Sequence, residues 1–99
     1  MNFLTLHDHD GNEVKVNMEL IVVIEPYKYG FAKLTRLYSS YSYSYSVLET
    51  PDEIFDADRG KAVEKSVIFQ RSCIYRKELN EMTRKRNESW YPYKDGGEQ

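Results

Sequence analysis

Apolar and polar positions alternate over residues 2–7, 14–16 and 31–37 of this 99-residue chain. A period of two puts one set of side chains on a buried face and the other in solvent, which is the mark of a strand. Between the first two segments, Asp8-His9-Asp10-Gly11-Asn12 supplies the residues of a tight hairpin, with Gly11 free to take a positive φ. Asn17-Met18-Glu19 reads as a corner, and Leu20-Ile21-Val22-Val23-Ile24 as a strand buried on both faces. Pro26 is expected to end that strand, with a turn over residues 27–30. A fifth strand follows from strict Ser-Tyr alternation: Tyr41, Tyr43 and Tyr45, then Val47, share one face and Ser40, Ser42, Ser44 and Ser46 the other.

Helical signals begin at Thr50-Pro51-Asp52-Glu53. Thr50 is an N-cap, Pro51 suits the first helical position, and Glu53 closes a capping box. Ile54 and Phe55 are expected to pack this short helix on the sheet, and Gly60 to stop it. Over residues 62–70 the pattern supports either an edge strand, through Val63, Lys65, Val67 and Phe69, or the start of a helical seam through Ile68, Tyr75, Leu79 and Met82. The seam spacing favours a helix over 72–87, and Pro92 forbids its continuation through Trp90-Tyr91-Pro92-Tyr93.

The expected fold is α+β: an antiparallel five-stranded meander sheet or small open barrel, a short capped helix and a longer C-terminal helix with an aromatic tail. Residues 1–59 form a β-rich module with the short helix and 60–99 a basic extension, in one domain. Charge changes the picture through its distribution. Residues 1–58 carry 10 acids and 4 bases, and residues 59–99 carry 6 acids and 10 bases. The halves are therefore complementary, and self-association competes with phosphate or an acidic protein as the use of the basic part. One cysteine excludes an internal disulfide, and no apolar run approaches the roughly 20 residues of a membrane span. The chain reads as cytoplasmic, without membrane insertion.

Several short segments together carry a resemblance: Phe3-Leu4-Thr5-Leu6, Asp10-Gly11-Asn12-Glu13-Val14, Asn17, Leu20-Ile21-Val22-Val23-Ile24-Glu25, and Val47 followed by Glu49-Thr50-Pro51-Asp52-Glu53-Ile54. Over residues 3–55 the chain resembles the small FlbD/SwrD-type flagellar proteins and related bacterial and phage proteins. The resemblance implies a small β-rich, non-enzymatic module whose partner is another macromolecule, and it brings no catalytic residues. The tyrosine segment and residues 60–99 lie outside its pattern.

Candidate chemistry is sparse. His7, Asp8, His9 and Asp10 are dense in metal-ligating types but fit a polar turn better, because zinc needs three or four ligands and the spacing around Gly11 fails a calcium loop. Cys73 lies between Arg71 and Arg76 without a base in sequence reach and reads as a buried or half-buried structural thiol. Glu49, Asp52, Glu53 and Asp56 are explained by a helix start. No cofactor, metal, small-molecule substrate or catalytic set is implied.

Two surfaces remain as candidates. Tyr41, Tyr43 and Tyr45, with Trp90, Tyr91 and Tyr93, form the expected interaction surface; cross-strand packing in the core is the plainer use of the first three, and covering by the C-terminal segment or another subunit the use of their flat edge. Arg71, Arg76, Lys77, Arg84, Lys85 and Arg86 are the candidate phosphate contacts of a nucleic-acid binder that stacks bases on the tyrosines, although Glu78, Glu81 and Glu88 dilute them and Glu81 and Lys85 suit a solvated helix face. The first reading is a protein-interaction module, homo-oligomeric, and the alternative is the nucleic-acid binder.

Overall fold

The computed structural model describes residues 3–90, with side chains through residue 86. Its order is β1 (Phe3–His7), β2 (Glu13–Asn17), a 3₁₀ turn (Met18–Leu20), β3 (Ile21–Tyr29), β4 (Ala32–Ser39), β5 (Ser44–Val47), α1 (Pro51–Asp58) and α2 (Lys65–Trp90). The architecture is α+β, but the five strands do not form one meander sheet or barrel. They divide into a two-stranded antiparallel β1–β2 hairpin and a three-stranded antiparallel β3–β4–β5 sheet.

The division follows from the 3₁₀ turn, where the Asn17 side chain accepts the Glu19 N–H and redirects the chain. The hairpin then packs on the three-stranded sheet instead of extending it. Leu6 and Val16 from the hairpin meet Leu37 and Val47 from the sheet and Ile54 from α1 in the main core. The opposite sheet face is covered by α2: Leu34, Leu48 and Ile68 are buried there, with Tyr27, Tyr29 and Tyr75 around them. Leu34 and Leu37, three positions apart in β4, point to opposite faces and so serve different layers.

Two hairpins use the same loop. Asp8 N–H donates to Asn12 C=O and Gly11 N–H to Asp8 C=O; likewise Ser39 N–H donates to Tyr43 C=O and Ser42 N–H to Ser39 C=O. This three-residue loop needs one residue at positive φ, which is Gly11 (φ 86°) in the first and Ser42 (φ 69°) in the second. Ser42 is the only non-glycine at positive φ among the described residues. The regular Ser-Tyr strand is therefore broken: β5 holds only Ser44–Val47, and Tyr41 and Tyr43 sit in the turn. The Ser39 hydroxyl holds the turn, accepting from Tyr41 and Tyr43 N–H at 3.3 and 3.1 Å.

Other expectations shift for identifiable reasons. β3 is an edge strand, so Val22 and Val23 are exposed and not buried on both faces. Pro26 does not end it: Pro26 faces Thr35, and its ring nitrogen points to the unpaired edge, where no ladder bond is lost. The strand runs on to Tyr29, and Gly30 (φ 63°) opens a two-residue turn. In the ambiguous segment, residues 61–64 are irregular and α2 starts at Lys65, seven residues before the expected start. The capping box at Thr50 and Glu53 is present in both directions. No helix among the described residues is long and apolar enough to cross a membrane.

Candidate interaction groove

Where the hairpin crosses the sheet, its β1 edge forms a closed end and its β2 edge an open one. At the closed end, His7 N–H donates to Glu49 Oε1 at 3.0 Å, His7 C=O accepts from Leu48 N–H, and His7 Nδ1 lies 2.6 Å from Glu49 Oε2. Glu49 is buried, so these bonds satisfy a carboxylate that would otherwise be costly to remove from water. A second strut ties α2 to α1: the Arg71 guanidinium forms a two-pronged pair with Glu53 at 2.5 and 2.9 Å and donates to Leu48 C=O. That pairing holds the Glu53 carboxyl below the usual carboxylate range and raises Arg71 above its ordinary value.

At the open end lies a groove of about 560 Å³ between β2 and the inner face of β5. Its walls include Val14, Lys15, Val16 and Asn17 from β2, Ile21 and Ser39, and Tyr41, Tyr43, Tyr45 and Val47 from the turn and β5. Tyr45 faces Leu37 across the ladder, so its ring lies on the core side of the sheet. The hairpin fails to reach it. Tyr41, Tyr43 and Tyr45 are 68, 65 and 47% exposed, and Phe3 at the rim is 50% exposed. Core packing, the plainer use of the tyrosines, is thus overturned by the turn that lifts two of them off the strand.

The groove runs along an unpaired edge. Four consecutive residues of β2 line it, so both faces of the strand, and hence its edge, border the space. The Asp8–Asn12 bond sets the ladder phase: Leu6–Val14 and Leu4–Val16 are the hydrogen-bonded pairs, and Glu13 and Lys15 direct their N–H and C=O groups away from β1. Among the described residues no hydrogen bond reaches those four groups. Sequence reasoning found the tyrosines but missed Val16, Lys15 and Ile21 as their neighbours. The only signal was the hairpin glycine, which does not say how a hairpin docks.

The other expected residues distribute differently. The side chain of Trp90, and all of Tyr91 and Tyr93, lie outside the described residues. Arg71 is half-buried and committed to Glu53, Arg76 lies 3.8 Å from Asp10, and Arg84 pairs with Glu81 one turn away. At about 100° per residue, Arg71, Arg76, Lys77, Arg84, Lys85 and Arg86 point all around α2 and do not form one basic face. His7 joins Glu49, whereas His9 packs at a tilt on Tyr75, ring centres 4.7 Å apart, with its Nε2 3.6 Å from Asp10, so the two histidines take different partners. Asp8 accepts the Asp10 and Asn12 N–H groups, the work of a turn residue. Cys73 is exposed on α2, contrary to the buried thiol expected, because the helix presents only the side bearing Ile68, Ser72 and Tyr75 to the sheet. The chain matches no family model, no curated protein and no solved structure.

Proposed function

We propose that this chain is a non-enzymatic protein-interaction module that self-associates through the groove between β2 and β5. The observation that carries the reading is the exposure of Tyr41, Tyr43 and Tyr45 together along one mostly apolar groove. Tyrosine supplies a large apolar body with a polar tip and favours interfaces with one wet edge. Its low side-chain entropy makes it an efficient anchor residue. Among the described residues no nucleophile of the groove is hydrogen-bonded to a base, and the lining is mostly apolar.

The test is light scattering coupled to size-exclusion chromatography at low and high salt, with the absorbance ratio recorded to detect nucleic acid. The expected outcome is an oligomer that persists in high salt and becomes a monomer in the double variant Tyr43→Ser/Tyr45→Ser, because apolar association strengthens or holds in salt. A monomer carrying nucleic acid that high salt strips away would overturn this reading in favour of the nucleic-acid binder, since phosphate contacts weaken steeply with salt.

A further inference from the structure

We propose that the groove is a strand-addition site, and that its occupant is the segment 90–93 of a second copy of this chain. This inference rests on the self-association reading and names both the mode and the partner. The mode follows from the backbone. Glu13 and Lys15 offer two N–H and two C=O groups along β2, all pointing away from β1 and unreached by any hydrogen bond among the described residues. An exposed edge of this kind pairs with an extended segment, whose main chain supplies affinity while alternate side chains fill neighbouring pockets. Tyr43 and Tyr45 flank that edge and are the surfaces on which such side chains would rest.

The occupant follows from sequence and reach. Trp90-Tyr91-Pro92-Tyr93 holds three aromatics around a proline, and proline biases the residue before it to extended backbone. In a strand paired along one side only, alternate residues face the partner. With Tyr91 and Tyr93 turned to β2, Pro92 faces away and its missing N–H costs nothing. Aromatic-lined grooves also recognise proline-bearing extended segments by ring stacking.

A chain cannot fill its own groove this way. Along its length α2 packs Ile68 on Leu34 and Leu48, then Tyr75 against Tyr29, then Glu78 over Gly30 at the β3–β4 turn. It meets the groove only at its turn end, where Tyr75 packs on His9, and then runs on toward the β3–β4 turn, away from Ile21 and Ser39 at the far end of that hairpin. From Gly30 back to Ile21 is about 30 Å of strand, and α2 continues about 18 Å past Glu78. Tyr93 lies only three residues beyond Trp90, a reach of at most about 11 Å. The donor is consequently another copy. Reciprocal exchange would close a two-fold dimer, and one-way donation would build an open chain.

Trp90 is the only tryptophan, so its fluorescence reports on the segment alone. Two full-length variants separate donor from acceptor. Tyr43→Ser/Tyr45→Ser disables the groove, and Trp90→Ser/Tyr91→Ser/Tyr93→Ser disables the segment and removes the fluorophore. Each is expected to be monomeric alone, with unchanged circular dichroism. Mixing them should restore a complex by light scattering and move Trp90 emission to shorter wavelength, since the signal comes only from the groove-disabled partner. Lys15→Pro in the acceptor removes an outward N–H and the Lys15–Thr5 side-chain bond but no β1–β2 backbone bond, and should weaken the mixed complex about tenfold or more, the scale of a lost anchor.

If the segment variant assembles like the wild type while the groove variant does not, the occupant is something else: this inference falls and the self-association reading stands. If both variants assemble like the wild type, or the wild type is a monomer with solvent-exposed Trp90, both fall.

Discussion

Where the β5–α1 connection crosses β1, His7 has its N–H, C=O and Nδ1 all engaged by Leu48 and Glu49. At the other end, across the hairpin on its β2 edge, Glu13, the register partner of His7, and Lys15 have outward backbone groups with no partner among the described residues, and Lys15 lines a groove with three exposed tyrosines. Both ends are antiparallel backbone bordered by apolar side chains. They differ in whether the chain itself supplies the next partner: Leu48 and Glu49 do so at the first end, and nothing described does so at the second. The contrast separates stability from association. Substitutions at the closed end should unfold the domain, and substitutions at the open end should change what it binds while leaving it folded.

Glu49→Ala should have the largest effect. It strips His7 of a backbone acceptor and a side-chain partner in a buried site, and each hydrogen bond to a charged group lost there costs about 1.5–3 kcal/mol. Urea unfolding should show this as a lowered midpoint; a loss near zero would mean that the closed end does not hold the crossing together. Arg71→Ala is expected next, at about 1.5–3 kcal/mol for charge-assisted hydrogen bonds lost at a half-buried site.

The same strut has a pH signature. The native Glu53 carboxyl titrates below its unfolded value of about 4.3, so its contribution is complete above that value and is lost as pH falls through the lower native one. Melting temperature should accordingly drop on acidification below about pH 4. Glu53→Gln should flatten that part of the curve, and an identical acid slope in the variant would remove Glu53 from the account.

Opposite in sign is Ser42→Gly. A non-glycine residue in the left-handed region costs roughly 1–2 kcal/mol, so relieving φ 69° should stabilise the domain by up to about that amount. Thermal melting measures it, and unchanged assembly by light scattering is expected because no tyrosine is touched. The smallest stability effect belongs to Tyr43→Ser/Tyr45→Ser, within about 0.5 kcal/mol per site for exposed positions. A large destabilisation there would erase the distinction between the two ends.

Local signals told the truth wherever the physics is local. The helix start at Thr50 to Glu53 was legible because all its bonds close within four residues. Asp10-Gly11 announced its hairpin because glycine takes positive φ freely. The second hairpin was not legible, since Ser42 occupies the position that glycine marks in the first, and alternation over residues 39–46 suits a strand whether or not a turn interrupts it. The extent of α2 was read only in part, because its first turns carry an alternating pattern that packing on Leu34 and Leu48 overrides.

By itself the sequence determined the kinds of element, most of their order, the capped helix, and the presence of an aromatic segment beside a polar strand edge. Only the tertiary structure decided that the hairpin folds over the sheet and does not extend it, that His7 meets Glu49 across 42 positions, and that Tyr41, Tyr43 and Tyr45 face a groove and not a core. The reason is that periodicity specifies which side of an element is apolar, while the partner that covers it depends on how far a hairpin reaches when it docks. Here the hairpin covers Leu37 and Val47 and stops short of Tyr45.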